Sequence, residues 1–404
     1  MPHEHLGGHL RLEEGGCSHQ RRIGAERKLG RIDVHENLVD GAAAWSEMEA
    51  LCPATVYQTR RFLLPWLATH GADACVTPMI VVAHDAQGIP VALLPFGVAK
   101  SGPARIAGFL GGADSNANVG LFRPGVDFSA ADLESLLRAV AAKSRLRPDA
   151  FLLVNQPLTI EGRPNPLDIF PHQDAASFCH SGSLAADPAA FIAGRLSKDT
   201  AKKLRKKRKR LEGMGKLGLL RPASALEVAR ILDVFFALKL ARFREKNIRS
   251  PFEAPVARSY LERACTPRTE RTPSIELYAL TLGERIIAIF AGSEHRGHLH
   301  LMFNAFDMDA EISRSSPGDL LLQWLLEEKC REGLKSFDLG IGEARFADVV
   351  LALHEGIWVI DRDGITVFAN PRMGEILGVE PATMIGRPFV DYFHPDDRAA
   401  GVHQ

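Results

Sequence analysis

The chain has 404 residues, 46% of them apolar, and its 49 basic side chains balance 49 acidic ones. This composition excludes a disordered chain, a collagen-like chain and a globally basic nucleic-acid binder, and the length allows two to four domains. No apolar run approaches the length of about 18 residues that a membrane helix needs. The six cysteines include no CxxC pair, so we expect free thiols in a cytoplasmic protein.

The first pattern of elements runs from residue 31 to 185, after a polar segment, 1–30, that we expect to be a mobile tail. Apolar periodicity and turn residues predict helices over 40–51, 54–70 and 132–142, and strands over 79–84, 89–96, 105–110 and 151–154. The helix over 54–70 should bend at Pro65. A glycine-rich segment, 108–120, matches no phosphate-binding motif, and we interpret it as a loop lining an acceptor cleft.

The segment from 186 to 346 repeats this order of elements. Its patterns predict helices over 197–212, 226–246 and 320–332, and strands over 276–282, 285–291, 298–306 and 335–339. The hairpin over 277–290 has the same strand-turn-strand order as the earlier hairpin over 81–96, and each follows helices and precedes another strand. The sequence therefore predicts an α/β fold with two copies of one unit, in which mixed sheets are flanked by helices. Chance similarity is the alternative, because hairpins are common.

A short loop before the helix of 320–332 is the most distinctive local signal. Its glycine permits a close approach to the backbone, and the amides of the first helical turn suit a pyrophosphate. A proline at this position costs little because its missing N–H would have no helical partner. The loop predicts an anion site formed by Ser316, Pro317, Gly318, Asp319 and Leu320. An ordinary capped helix start is the alternative.

The run 195–210 holds ten lysines and arginines against one aspartate. A helix here would expose most of that charge and attract an anionic partner, with Lys202, Lys203, Arg205 and Lys206 as the contacts. A solvated helix is the simpler interpretation, and the absence of interleaved aromatic residues disfavours nucleic acid. His298 and His300 share one face of a predicted strand, and we interpret them as solvated side chains rather than metal ligands.

Taken in order, these features resemble the GNAT superfamily, specifically the CelD-like and FemAB-like acyltransferases built from two GNAT-type units. The matching segments are TVYQTRRFLLPWL, ALLPF, GFLGGADSN, TAKKLRKKRKRLE, LYALTLGERIIAIFAG, NAFD and SSPGDLLLQWLLEEKCREGLKSFDLGIGEARF. The resemblance implies units at 31–185 and 186–346 and transfer of an acyl group from acyl-CoA, most simply acetyl-CoA. The acceptor would be an amine or hydroxyl of a small molecule or an envelope polysaccharide precursor.

The same resemblance implies roles for individual residues. The pyrophosphate of CoA would lie on the backbone amides of the loop around Gly318. Asp338 and Glu343 are the candidates for the base that deprotonates the acceptor, because they lie at and just after the predicted strand 335–339. Asn304 and Asp307 are candidates for substrate contacts. No metal is implied.

The segment from 347 to 404 resembles the N-terminal half of a PAS domain. The resemblance is carried by LHEGIWVIDRDGITVFANPRMGEILGVEPATMIGRPFVDYFHPDDRAA. This stretch predicts two strands, 356–360 and 365–369, and a short helix after Asn370. The strands that would complete the sheet and cover a ligand are missing, so no PAS ligand is expected. Two alternative functions stay open: a PAS-linked regulatory protein with idle GNAT units, and an aminoacyl-tRNA-dependent transferase of the FemAB-like kind.

Overall fold

The structure, a computed structural model, describes residues 29–172, 179–195, 197–245, 250–267, 272–341, 358–360, 365–369 and 371–392. The predicted tail at 1–30 therefore lies almost wholly outside the described residues. Within them, no helix is both long and apolar enough to cross a bilayer.

The first unit is built on one six-stranded sheet. Its strands are β1 (Ile32–His35), β2 (Thr77–His84), β3 (Pro90–Ser101), β4 (Ala104–Phe109), β5 (Leu121–Phe122) and β6 (Ala150–Phe151), in the order β1-β2-β3-β4-β6 with β5 on β3. Its helices are α1 (Ala42–Leu51), α2 (Arg60–Trp66) and α3 (Ala130–Lys143). A short hairpin, β7 (Thr159–Ile160) with β8 (Arg163–Pro164), follows.

The second unit contains another six-stranded sheet. Its strands are β9 (Cys179–Ser183), β10 (Leu217–Leu220), β11 (Glu276–Leu282), β12 (Arg285–His295), β13 (His298–Phe306) and β14 (Ser336–Ile341), in the order β10-β11-β12-β13-β14-β9. Its helices are α4 (Pro188–Arg195), α5 (Lys198–Glu212), α6 (Ala225–Glu245), α7 (Pro255–Cys265), α8 (Ala310–Ser313) and α9 (Pro317–Arg331).

The two sheets share one topology, which confirms the predicted duplication. In each sheet, four strands pair antiparallel in succession, and a fifth joins the edge in parallel after a crossover helix. The parallel pairs are β4 with β6 and β13 with β14. The second sheet gains β9, which pairs antiparallel with β14. The chain thus enters the second sheet a few residues before the predicted boundary at 185.

One hydrophobic cluster joins the two units. It contains Trp45, Tyr57 and Phe62 of the first unit together with Phe235 and Ile289 of the second. A buried core shared in this way holds the units against each other because separating them would expose apolar surface. We call this contact the seam.

Local signals explain several element boundaries. Thr59 caps α2 through its side chain, and Ser129 opens α3 with a capping box completed by Asp132. The helix does not continue as one regular α-helix past the proline, because α2 contains Pro65 and passes directly into a π-helical turn, Leu67–Gly71. The strand predicted over 151–154 is shorter than expected and pairs only at Ala150–Phe151.

The C-terminal segment keeps the predicted hairpin and helix. Strand β15 (Trp358–Ile360) pairs antiparallel with β16 (Thr366–Ala369), and helices at Pro371–Leu377 and Pro381–Met384 follow. Residues 389–392 end the described chain in a single 3-10 turn.

Candidate active site

Strands β13 and β14 pair over only three residues. The parallel register joins His298 to Ser336, Leu299 to Phe337 and His300 to Asp338. Beyond His300, β13 continues to Phe306, but no further described residue of β14 pairs with it. On its other edge, β14 pairs with β9. Among the described residues, the register therefore gives the edge of β13 from 301 to 306 no partner in β14, and we call the space beside this edge the wedge. Backbone groups left unpaired in this way are available to a ligand.

A β-bulge lies where the wedge begins. On the other edge of β13, Ala291 pairs with Phe303 and Gly292 with Leu301, which leaves Met302 without a partner in the register. Gly292 is needed opposite the bulge, because a Cβ there would lie 2.6 Å from the carbonyl oxygen of His300. Bulges are common beside active sites because they redirect backbone N–H groups out of the ladder.

The predicted anion loop lies at the far end of the wedge. Helix α9 begins at Pro317, and Ser316 before it adopts a left-handed conformation with φ of 45°. Gly318 faces the last residue of β13, because a Cβ on this glycine would meet the ring of Phe306 at 3.6 Å. The first-turn amides of α9 are thus placed beside the C-terminal end of β13.

A lysine from the basic helix reaches this loop. Lys207 Nζ donates a hydrogen bond of 2.7 Å to Ser316 Oγ and lies 3.7 Å from the carboxylate of Asp319. Burial raises the pKa of Asp319, although Lys207 opposes the shift. Leu320 is buried in the core of the second unit, so only its backbone can contact a ligand.

A cluster of three polar side chains lies at the base of the wedge. Asp338 Oδ2 accepts hydrogen bonds from His298 Nε2 at 2.9 Å and from His300 Nδ1 at 2.6 Å. His298 Nδ1 in turn contacts Ser336 Oγ at 2.7 Å, and the N–H of Gly340 donates to Asp338 Oδ1 at 2.9 Å. We call His298, His300 and Asp338 the His-Asp-His cluster.

Burial and hydrogen bonding set the charge of this cluster. Burial alone would raise the pKa of Asp338, but the hydrogen bonds from His298 and His300 outweigh it and lower that pKa to about 2. Burial lowers the pKa of His300, and the hydrogen bond and charge of Asp338 offset this lowering only in part. At neutral pH the cluster therefore pairs a carboxylate with a neutral His300 imidazole.

The first unit closes over the cluster at the seam. The ring of Tyr57 meets that of His300 edge-on at 5.6 Å, and Asn116 Nδ2 donates to Tyr57 Oη at 2.8 Å. Asn116 comes from the predicted glycine-rich loop and packs against Gly340, where a Cβ would lie 2.7 Å from its amide nitrogen. Burial and the charge of Asp338 raise the pKa of the neighbouring Cys179 to about 12, so this thiol stays protonated.

The remaining predicted site residues are spread more widely. Asn304 is half-buried on β13 beyond the bulge, opposite Phe290. Asp307 is buried and forms an ion pair of 2.7 Å with Arg285. Glu343 lies outside the described residues. The exposed lysines and arginine at 202, 203, 205 and 206 lie on α5 and point away from its buried Leu204.

The prediction that the two histidines are solvated is wrong for His300, which is only 5% exposed. Sequence reasoning missed the reason: the parallel register places Asp338 beside His300. The ligand atoms of the cluster lie within 4.8 Å of one another and could hold a cation. His298 Nε2, His300 Nδ1 and Asp338 Oδ2 already hydrogen-bond to one another, and we assign no metal to the cluster.

Comparisons with known proteins agree with this architecture. Residues 198–348 match the family described as the acetyltransferase (GNAT) domain, and residues 344–404 match the PAS fold. No curated protein matches. The crystal structure of FemX superposes with a TM-score of 0.53 at 8% identity, covering 79% of this chain and 94% of FemX. Since the identity is so low, this similarity shows the fold alone.

Two further solved structures align less closely. A tandem GNAT protein from the clavulanic acid biosynthesis pathway has 12% identity and a TM-score of 0.42, covering 80% of this chain and 94% of its own. The structure of L-PGS from Bacillus licheniformis has 14% identity and a TM-score of 0.41, covering 77% of this chain and 81% of its own.

Proposed function

We propose that this chain is an acyl-CoA-dependent acyltransferase, because residues 198–348 match the GNAT acetyltransferase domain and form the second half of a tandem GNAT fold, which a match to the PAS fold follows. It moves an acyl group, most simply acetyl, to an amine or hydroxyl of a small molecule or an envelope polysaccharide precursor. One observation carries the proposal. The wedge between β13 and β14 runs from the anion loop at one end to the bulge and the His-Asp-His cluster at the other.

The donor would lie along the wedge. The pyrophosphate of CoA is an anion that suits the amides of Gly318 and Asp319, with the helix dipole and Lys207 adding positive potential. The pantetheine arm carries amide groups that would pair with the free edge of β13 from 301 to 306. The thioester carbonyl would then reach the bulge, where Met302 has no partner in the register and its N–H would serve as the donor to the developing oxyanion.

The His-Asp-His cluster would handle the proton. Asp338 accepts the N–H of His300 Nδ1, which leaves the lone pair on His300 Nε2 free to act as a base. As the acceptor attacks the thioester carbon, its proton passes to His300. When the C–S bond breaks, that proton passes from His300 to the thiolate of CoA. Asp338, ionised and buried, is then a positioning residue rather than the base itself. Glu343 remains a predicted alternative base.

Acyl-CoA binding is the first test. In thermal unfolding, acetyl-CoA at about 100 times its dissociation constant should stabilise the wild type by about 2.7 kcal/mol. Gly318→Trp should lose this stabilisation, because an indole would fill the space beside Phe306 and block the loop. Lys207→Gln should weaken binding. Lys203→Gln is the matched control, since Lys203 lies one turn away on the same helix and pairs with Asp199.

The outcome separates the candidate donors. A folded wild type that binds neither acetyl-CoA, longer acyl-CoAs nor free CoA in direct calorimetric titration would overturn the acyl-CoA proposal. A stabilisation that Gly318→Trp retains would move the donor away from this loop.

The exposed basic face of α5 favours a second donor, an aminoacyl-tRNA. Replacing Lys202, Lys203, Arg205 and Lys206 together by glutamine tests it. The acyl-CoA proposal predicts unchanged acetyl-CoA affinity in this variant, because Lys207 is kept. Wild-type binding of aminoacyl-tRNA that weakens steeply with salt, and is lost in the variant, would instead favour tRNA as donor.

A further inference from the structure

A large cleft lies on the seam, away from the anion loop. Its volume is about 1050 Å³, and α1 and α2 of the first unit line one side of it. The other side comes from the end of α7, residues 272–274 and the turn after β12. This volume is close to the upper end of the range of small-molecule sites, which is about 300–1,000 Å³.

The cleft is strongly cationic. Among the described residues, its lining contains one carboxylate, that of Glu49, and four arginines, Arg60, Arg61, Arg263 and Arg296, beside an uncharged His295. Burial raises the pKa of Glu49, and the neighbouring Arg60 and Arg61 oppose that shift. An excess of cationic side chains in a partly enclosed space attracts carboxylates and phosphates.

The arginines that line the cleft differ in their existing hydrogen-bond and ion-pair partners. Arg61 is committed to the seam, since its guanidinium donates to Ser293 Oγ and to the carbonyl of Glu294, both at 2.9 Å. Arg296 pairs with Glu161 at 2.8 Å. By contrast, Arg60 Nε is buried and has no hydrogen-bond partner among the described residues.

His295 provides a second orphaned atom in the same cleft. Its Nε2 is buried and, within the described chain, also lacks a partner. Burial, with neighbouring His300 and Arg296, lowers the pKa of His295 to about 4. Leaving a buried polar atom without a partner costs free energy, so Arg60 and His295 each have an unmet hydrogen-bonding capacity beside the cleft.

The cleft adjoins the His-Asp-His cluster. In the β12–β13 ladder, His295 pairs with His298 and Ser293 pairs with His300. Residues directly opposite in an antiparallel ladder project to the same face of the sheet. His295 at the end of the cleft is therefore a direct neighbour of the cluster, on the face that the first unit covers.

We infer that this cleft binds an anionic group of the acceptor, so that the acceptor is a small molecule carrying a phosphate or carboxylate as well as the amine or hydroxyl that is acylated. The assignment of the ligand as the acceptor rests on the proposed function. Arg60 and His295 donate to the anionic group, Arg263 adds charge, and the reactive amine or hydroxyl points toward His300.

Anion binding by the full chain tests the inference without acyl-CoA. Inorganic pyrophosphate and succinate are the two probes, one for each anion class, and the readout is the His295 Cε1–H signal in NMR across pH. A bound anion should raise the pKa of His295, because it stabilises the imidazolium. The probe that raises it at the lower concentration identifies the class.

Variants place the effect in the cleft. Arg60→Gln combined with Arg263→Gln should weaken binding of the effective probe at least about tenfold, as loss of charge-assisted hydrogen bonds does. Lys207→Gln at the anion loop, and Arg138→Gln on the exposed face of α3, should leave it unchanged. If neither probe shifts His295, or the double variant binds as the wild type does, the inference is wrong.

Acetyl-CoA titration of the same proteins separates this inference from the proposed function. Retained acetyl-CoA binding without anion binding in the cleft would overturn the inference alone. Anion binding in the cleft without any acyl-CoA binding would overturn the proposed function and leave an anion site of another purpose.

Discussion

Replacing Asp338 by asparagine is expected to lower kcat for acyl transfer by about 10²–10⁴-fold, the range typical of a lost acid-base function, while leaving acetyl-CoA binding unchanged. The carboxylate holds two histidines through one oxygen. An amide keeps the shape but presents either a weaker acceptor or an N–H to both rings. His300 would lose the hydrogen bond that fixes its tautomer. Its Nε2 would then no longer be held as the unprotonated nitrogen that accepts the proton. Steady-state kinetics and calorimetric titration measure the two quantities.

Two comparisons make this result specific. Ser336→Ala removes only the contact to His298 Nδ1, so its effect on kcat should be much smaller. Asp149→Asn removes an exposed carboxylate paired with Arg105 in the first unit and should have no effect. If Asp338→Asn keeps wild-type kcat, the cluster has no part in proton transfer.

The same variant should change the dependence of stability on pH. The pKa of Asp338 is about 2 in the folded chain against 3.8 for the free side chain. A depressed carboxyl pKa stabilises the fold above pH 4, and the contribution is lost as pH falls from about 4 to about 2. The shift corresponds to about 2 kcal/mol. Urea unfolding at a series of pH values should therefore show a flatter acid limb for Asp338→Asn.

Gly292→Ala is expected to abolish most of the activity and to destabilise the protein by about 1–3 kcal/mol, the usual range for overpacking. The added Cβ would lie 2.6 Å from the carbonyl oxygen of His300 and 3.0 Å from a methyl group of Leu301. The neighbouring strand must shift, which alters the bulge and turns the N–H of Met302 away from the thioester. Urea unfolding and kcat/KM measure the two effects.

Gly194→Ala is the matched control. Gly194 lies exposed on helix α4, and a Cβ there would meet nothing within 4 Å. Alanine at that position should leave both activity and stability intact, or raise stability slightly through its better helix propensity. A Gly292→Ala protein as stable and as active as the control would show that the bulge is not required.

The sequence predicts the fold well where patterns are strong. The hairpins and the amphipathic helices of both units follow from periodicity, and the repeated order predicts the duplication. Strand β9 was missed because Cys179–Ser183 is short and rich in polar and small residues, and its position depends on the free edge of β14. Helix α7 was missed although Pro255 at its first turn is a typical start signal.

The site is less accessible to sequence reasoning. The proposed roles of the loop at Ser316–Leu320 and of Asp338 follow from motif and resemblance. The partnership of Asp338 with His300 depends on a parallel register between strands that lie nearly forty residues apart. Lys207 is one of ten basic residues in its run, and only packing against α9 distinguishes it. Tyr57 and Asn116 reach the cluster through the seam, which no local pattern indicates.

Hydrogen–deuterium exchange of the full chain, with and without saturating acetyl-CoA, tests whether the donor lies in the wedge. We expect slower exchange on binding at two separate segments, 301–306 along the edge of β13 and 316–320 at the start of α9, because the donor would hydrogen-bond to both. Protection in neither segment, or only at sites outside the wedge, would contradict an acyl-CoA site between β13 and β14.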